Sequence, residues 1–156
     1  MSEYIRPVVF KLGDQLFGVD IEKVQSIEKQ INVVPVPNAM PFISGIVNLR
    51  GEVIPVFSLK KKFSMEEGAV PCENTIIIAL PELKIALEVD EVMEISDFDM
   101  ENISDVPSIV KNEETQYLDR VANNKGQLIL LLDVNRLLST DEAADLQHFT
   151  EEMQHE

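Results

Sequence analysis

The segment Phe42-Ile43-Ser44-Gly45-Ile46-Val47-Asn48-Leu49-Arg50-Gly51-Glu52-Val53-Ile54-Pro55-Val56 constrains the fold more than any other part of the chain. Two apolar runs, each strand-sized, flank Asn48-Leu49-Arg50-Gly51, so the segment predicts a β-hairpin with a cation at its tip. Gly51 can take the positive φ of a tight turn, and Gly45 lets the chain bend on its way in. Pro55 has no N–H to give to a ladder, which predicts that the second strand lies at a sheet edge or runs past a bulge.

The same grammar recurs on both sides. Val8–Leu12 and Gln15–Ile21 read as strands around a Gly13-Asp14 turn. In the extended segment that follows, alternation places Val24, Ser26 and Glu28 on one face and Ile27 on the other. Pro35, Pro37 and Pro41 exclude a regular helix between the strands. Leu59–Phe63 fits one helical turn, and Lys60-Lys61-Lys62 reads as a solvated face. The pattern then starts again with strands at Thr75–Leu80 and Leu83–Val89, the second extended by Asp90–Ile95. Residues 97–116 are acid-rich and predict a long exposed connection. Tyr117–Ala122 and Gln127–Asp133 form a last hairpin around Asn123-Asn124-Lys125-Gly126. Short strands with Gly- and Pro-marked turns point to small barrels rather than a βαβ fold. The period switches only at the C-terminus, where Leu146, Phe149 and Met153 share a helical face and Ser139 with Glu142 has capping-box spacing.

Composition narrows the function. With 28 acidic against 13 basic residues, the 156-residue chain carries a formal charge of −15, which repels phosphate backbones and anionic membrane surfaces. Nucleic-acid binding and direct membrane insertion are therefore not expected, and no leader or membrane-spanning run is evident. One cysteine, Cys72, allows no internal disulfide and fits a reducing compartment, the cytoplasm. Both histidines, His148 and His155, sit in the acidic tail, seven residues apart, which is poor spacing for a metal pair and leaves Cys72 without a base nearby in sequence. The scattered glycines form no phosphate-cradling loop. No catalytic, cofactor or metal site is expected. What remains is binding: sheet edges with apolar flanks, and a groove between two packed barrels, invite partner strands or helices.

Gly45-Ile46-Val47-Asn48-Leu49-Arg50-Gly51 followed by Val53-Ile54-Pro55-Val56 resembles the signature of the CheW family of bacterial chemotaxis coupling proteins. Supporting segments are Phe10-Lys11-Leu12-Gly13 with Phe17–Ile21, Val24–Ile27, the proline-linked stretch before Phe42, Leu87–Val92, and Leu131-Leu132-Asp133 with Leu137-Leu138. The resemblance implies a mainly β fold: two five-stranded β-barrels of the Src-homology type, one after the other, in a single domain spanning 1–156. The first would cover about residues 8–66 plus the C-terminal segment and the second about 72–133, with an amphipathic helix at about 140–153. It also implies a non-catalytic adaptor without cofactors, monomeric when free, that couples the histidine kinase CheA, through its regulatory domain, to the tips of methyl-accepting chemotaxis receptors in arrays at the cell pole. Carried over by position, Val24, Ile76 and Ile95 line the receptor groove, with Arg50 influencing receptor coupling. Ile21, Val33, Val36 and Pro37 form the kinase-facing barrel end. Many members carry a glutamate where this chain has Ser26, so Arg50 either pairs with Glu28, two residues further on, or holds no partner.

Two rival functions stand beside this one. A CheW-like adaptor could serve another receptor–kinase array, such as one for surface motility. A small barrel could instead bind a metabolite, which would require polar residues on inward strand faces, whereas Ile76-Ile77-Ile78 and Leu128–Leu132 are apolar on both faces.

Overall fold

The structure, a computed structural model, describes residues 4–29, 31–65, 72–81, 83–112 and 115–137. The expected C-terminal helix and its capping box lie outside the described residues. In chain order the strands are β1 (Tyr4–Ile5), β2 (Pro7–Leu12), β3 (Gln15–Asp20), β4 (Val24–Lys29), β5 (Ile43–Leu49) and β6 (Glu52–Ser58). One helical turn, α1 (Leu59–Lys62), follows, capped by the Ser58 hydroxyl, which accepts from Lys61 N. Then come β7 (Asn74–Ala79), β8 (Lys84–Val89), β9 (Glu91–Ile95), β10 (Phe98–Asp99), β11 (Ile103–Asp105), β12 (Leu118–Asn124) and β13 (Gln127–Leu132). No helix among the described residues is long and apolar enough to cross a membrane.

The strands form a six-stranded sheet in the order β11-β12-β13-β3-β2-β9, a five-stranded sheet in the order β4-β7-β8-β6-β5, and a β1-β10 ribbon. The fold is mainly β with two packed sheets, as expected, but two details differ. First, the ladders do not close into barrels: among the described residues, neither β4 with β5 nor β9 with β11 forms a ladder. Second, the chain does not complete one sheet before it starts the next. After the β2–β3 hairpin β4 crosses to pair with β7, and after the β7–β8 hairpin β9 crosses back to pair with β2. Asp90 to Ile95 therefore departs from β8 rather than extending it.

This exchange relates the two halves of the chain. The parallel ladders match Val56 beside Ala86 in one sheet with Leu131 beside Gly18 in the other. From there Val8 corresponds to Ile76, Val24 to Val92, Ser26 to Glu94, Ile27 to Ile95 and Glu28 to Ser96. Both crossing strands carry a bulge at the same place, with Gln25 and Met93 as the extra residues. The second hairpins also correspond: β5 and β12 are each bulged, between Ile43 and Gly45 and between Leu118 and Arg120.

Three apolar clusters hold these layers. The largest lies between the sheets and joins Val8, Phe10, Leu12 and Val19 to Phe57, Ile76, Ile78, Ile85 and Leu87. A second covers the outer face of the six-stranded sheet around Val9, Ala122, Ile129 and Leu131. The third fills the outer face of the five-stranded sheet with Val47, Ile54, Val56, Ile77 and Ala86. Each large side chain so buried contributes roughly 1.5–3 kcal/mol. Apolar runs with no alternation, such as Ile76-Ile77-Ile78, follow directly from a sheet buried on both faces.

Further expectations change in three dimensions. Pro55 stands in β6, an internal strand between β5 and β8 rather than an edge; the other alternative applies, in that β6 runs past a bulge, at Ser44 of β5, and the β8 ladder begins only at Val56. Residues 97–116 contain β10, β11 and short 3-10 turns rather than one exposed connection. The lysine run is only partly solvated. Lys60 is buried with its Nζ 2.8 Å from Asp90 Oδ1, and Lys62 stands 4.4 Å from the centre of the Phe42 ring, while Lys61 is exposed.

Candidate functional site

The β5–β6 hairpin turns through two residues, Arg50 (φ 53°) and Gly51 (φ 86°), between the paired Leu49 and Glu52. Positive φ at both central positions is the primed turn whose twist suits a hairpin. Asn48 Oδ1 accepts from Gly51 N at 3.1 Å and fixes the tip. This places Arg50 at the open side of the five-stranded sheet, facing its other end strand. On β4 the bulge at Gln25 sets the side chains: Ser26 lies opposite Ile77 and Glu28 opposite Thr75, on the outer face. Arg50 Nη2 stands 3.1 Å from Glu28 Oε1. The contact spans the seam that no ladder closes, so the sheet curls until its two ends nearly meet.

The site is asymmetric in solvent. The Glu28 side chain is 19% exposed and that of Arg50 69%. Glu28 Oε1 and Ser26 Oγ are both buried without a hydrogen-bond partner among the described residues, so Arg50 meets the carboxylate as a charge, off the line of a hydrogen bond. A buried carboxylate oxygen without such a contact is costly. Beside the seam, residues 31–36 lie along β5: Val34 N donates to Ile46 O at 2.8 Å and Ile46 N to Val34 O at 2.9 Å. This is why Gly45 is glycine. A Cβ there would stand 2.1 Å from Val34 O.

Of the residues singled out in the sequence, Arg50 and Glu28 are brought together. Val24 is placed otherwise than alternation implies. The bulge turns it away from Ser26 and Glu28, and it packs with Ile27 on the inter-sheet core. Ile76 is fully buried and presents no surface to a groove. Ile95, on end strand β9, is 50% exposed. The kinase-facing group is divided. Ile21 packs on the inter-sheet core and Val33 on the outer core of the five-stranded sheet. Val36 is half-buried and Pro37 exposed. Val34, which sequence reasoning passed over, is 52% exposed because its backbone pairs with Ile46 and turns its side chain outward. Exposed Met93 was missed because it is the extra residue of the β9 bulge. Only knowledge of the bulge would have found it.

Cys72 is exposed, but its thiol packs against Asp90, donating at 3.7 Å. Although the residue as a whole is exposed, partial desolvation of the thiol, with the Glu88 and Asp90 carboxylates nearby, pushes it up to about 11. What the seam offers is an exposed cation on a tight turn, held against the carboxylate of the facing strand.

Comparison with known proteins bears on this arrangement. The description CheW-like domain matches residues 6–142. The chain belongs to the CheW family. It is 32% identical over 139 residues to the chemotaxis protein CheW of Klebsiella aerogenes, covering 88% of this chain and 83% of that one. With the CheW of Treponema pallidum it shares 28% over 150 residues, or 93% and 88% of the two chains. The crystal structure of the scaffolding protein TtCheW from Thermoanaerobacter tengcongensis superposes with a TM-score of 0.81 at 30% identity, covering 90% of this chain and 96% of that one. Fold and family thus agree with the CheW resemblance, and the Arg50 turn lies inside the matched region.

Proposed function

We propose that this CheW-family chain is a non-catalytic chemotaxis adaptor. It couples the regulatory domain of a CheA-type histidine kinase to the cytoplasmic tips of methyl-accepting receptors, working in the cytoplasm at receptor arrays. The observation that carries this reading is the seam. Arg50, on a rigid two-residue turn, is held beside the end strand β4 by Glu28, in the signature hairpin of a chain whose relatives are named chemotaxis and scaffolding proteins. The receptor surface comprises Arg50 and Ile95, with Val24 supporting β4 from the core side. The kinase surface is the strip Val34–Pro37, where Val36 and Pro37 remain from the sequence expectation and Val34 joins them.

Two substitutions separate these surfaces in titration calorimetry. Ile95→Glu places an unpaired carboxylate where a receptor helix docks, and lowers affinity for the receptor tip roughly thirtyfold or more while kinase binding is retained. Val36→Glu does the reverse. Loss of both activities in either variant, with unchanged circular dichroism, would make the two surfaces one. Loss of neither would overturn the assignment.

A further inference from the structure

The register that relates the two halves also relates their hairpin tips. Asn123-Asn124-Lys125-Gly126 repeats Asn48-Leu49-Arg50-Gly51: Lys125 takes φ 53° and Gly126 φ 91°, and Asn123 Oδ1 accepts from Gly126 N at 2.8 Å. Lys125 therefore occupies on the six-stranded sheet the place that Arg50 occupies on the five-stranded one. The facing strand differs. Where β4 carries Glu28, the chain just past β9 carries Ser96, with its N–H directed at Pro7 O across 3.4 Å. The carboxylate that meets Arg50 has no counterpart at Lys125.

An open cleft of about 790 Å³ lies in this second seam, lined by Glu94, Ser96, Asp97 and Phe98 on one side and by Asn102 and Asn123–Gly126 on the other. Lys125 makes no ion pair among the described residues. Asp97 is already neutralised by Arg6, whose Nε donates at 2.5 Å and Nη2 at 3.2 Å. Lys125, the Ser96 hydroxyl and the amide groups of Asn102, Asn123 and Asn124 together make a donor-rich wall. Glu94, which stands in the place of Ser26, is the one lining acid with no cation assigned to it, and it suits a backbone N–H of an incoming chain.

We infer that this cleft is a second docking site, for a loop of a protein partner that presents an aspartate or glutamate to Lys125. The incoming carboxylate takes the part that Glu28 plays inside the first seam. The cleft is large enough for several residues of a loop, and the matching charge gives the specificity. The site lies on the other sheet from Arg50 and adjoins Ile95, which stands between the lining residues Glu94 and Ser96 at the end of β9.

Amide chemical shifts of the full chain, titrated with the capped tripeptides Ac-Gly-Asp-Gly-NH2 and Ac-Gly-Arg-Gly-NH2, test the inference. The aspartyl peptide is expected to give saturable shifts at Ser96–Phe98 and Asn123–Gly126, with affinity roughly tenfold above that of the arginyl peptide. Two variants fix the sign. Lys125→Glu removes the cation, and Ser96→Glu supplies Lys125 with a carboxylate from within, so both should abolish the aspartyl response. Lys125→Gln serves where either variant perturbs the fold. Preference for the arginyl peptide, an aspartyl response unchanged in Ser96→Glu, or no saturable shift would each overturn the proposal. Acetate binding as well as the aspartyl peptide would show an anion pocket rather than a docking site, and would overturn it too.

Discussion

At the tip of one hairpin Arg50 and Gly51 both take positive φ; at the tip of the other Lys125 and Gly126 do the same. A non-glycine residue in the left-handed region costs about 1–2 kcal/mol. Since both tips bear that cost, the strain comes from joining two strands through two residues and does not mark function. The tips differ in what the cation meets. Arg50 reaches Glu28 and draws the seam of the five-stranded sheet together, whereas Lys125 faces Ser96 across an open cleft. A repeated backbone thus carries two different surfaces, and the choice lies in one residue of the facing strand.

The largest test of this correspondence concerns Gly45 and its counterpart Arg120, each the residue that follows the bulge in its hairpin. In the five-stranded sheet Val34 O lies where a Cβ would be, and Gly45→Ala is expected to cost about 3 kcal/mol or more in urea unfolding. Arg120→Ala, where the same position already holds a side chain, loses a part-buried contact with the neighbouring Asp119, about 1 kcal/mol. Similar losses at both positions would break the comparison.

An intermediate effect is expected at Lys60, whose counterpart in the other half is the exposed Asn135. Lys60→Ala leaves Asp90 without its cation, though still accepting from Gly13 N, and should cost about 2 kcal/mol, against almost nothing for Asn135→Ala. Partial burial pushes the Asp90 carboxyl up. Hydrogen bonds from Lys60 and from Gly13 N outweigh that and leave it below its usual range. The pair's contribution is therefore full above the unfolded carboxylate value, near pH 4, and is lost as pH falls through the lower folded value. Below about pH 4 the native chain should lose stability more steeply than Lys60→Ala. Parallel acid curves would show that Asp90 is held by something other than Lys60.

The smallest effect sharpens the two tips themselves. Lys125→Gly relieves left-handed strain and should stabilise by about 0.5 kcal/mol, the relief being partly offset by the entropy of glycine in the unfolded chain. Arg50→Gly relieves the same strain but loses the Glu28 contact, worth about 0.2–1 kcal/mol for so exposed a cation, and should gain little or nothing. A double-mutant cycle with Glu28→Ala isolates the difference. Zero coupling would make Arg50 a solvated tip residue like Lys125.

How much of this was legible in the sequence depended on the range of the interaction. Hairpins at Gly13-Asp14, Asn48–Gly51 and Asn123–Gly126 could be placed because turn chemistry and apolar runs are local. The Arg50–Glu28 pair could be named as one of two outcomes, because two residues' shift along a strand keeps a side chain on the same face. The single-residue bulge at Gln25 could not be foreseen, and it reversed the side of Val24 relative to Ser26. Burial on both faces was legible in the unbroken run Ile76-Ile77-Ile78, but which cluster each residue joins was not, and Ile21 and Val33 fall in different ones.

By itself the sequence determined the class of fold, the positions of the tight turns and membership in the CheW family, all of which follow from short-range patterns of apolar, glycine and proline residues. Only the tertiary structure decided that the hairpins exchange crossing strands, that Lys60 is buried against Asp90, and that one seam is drawn together by charge while its counterpart stands open. Those outcomes depend on ladder register between segments far apart in the chain, where a shift of one residue changes which side chains meet.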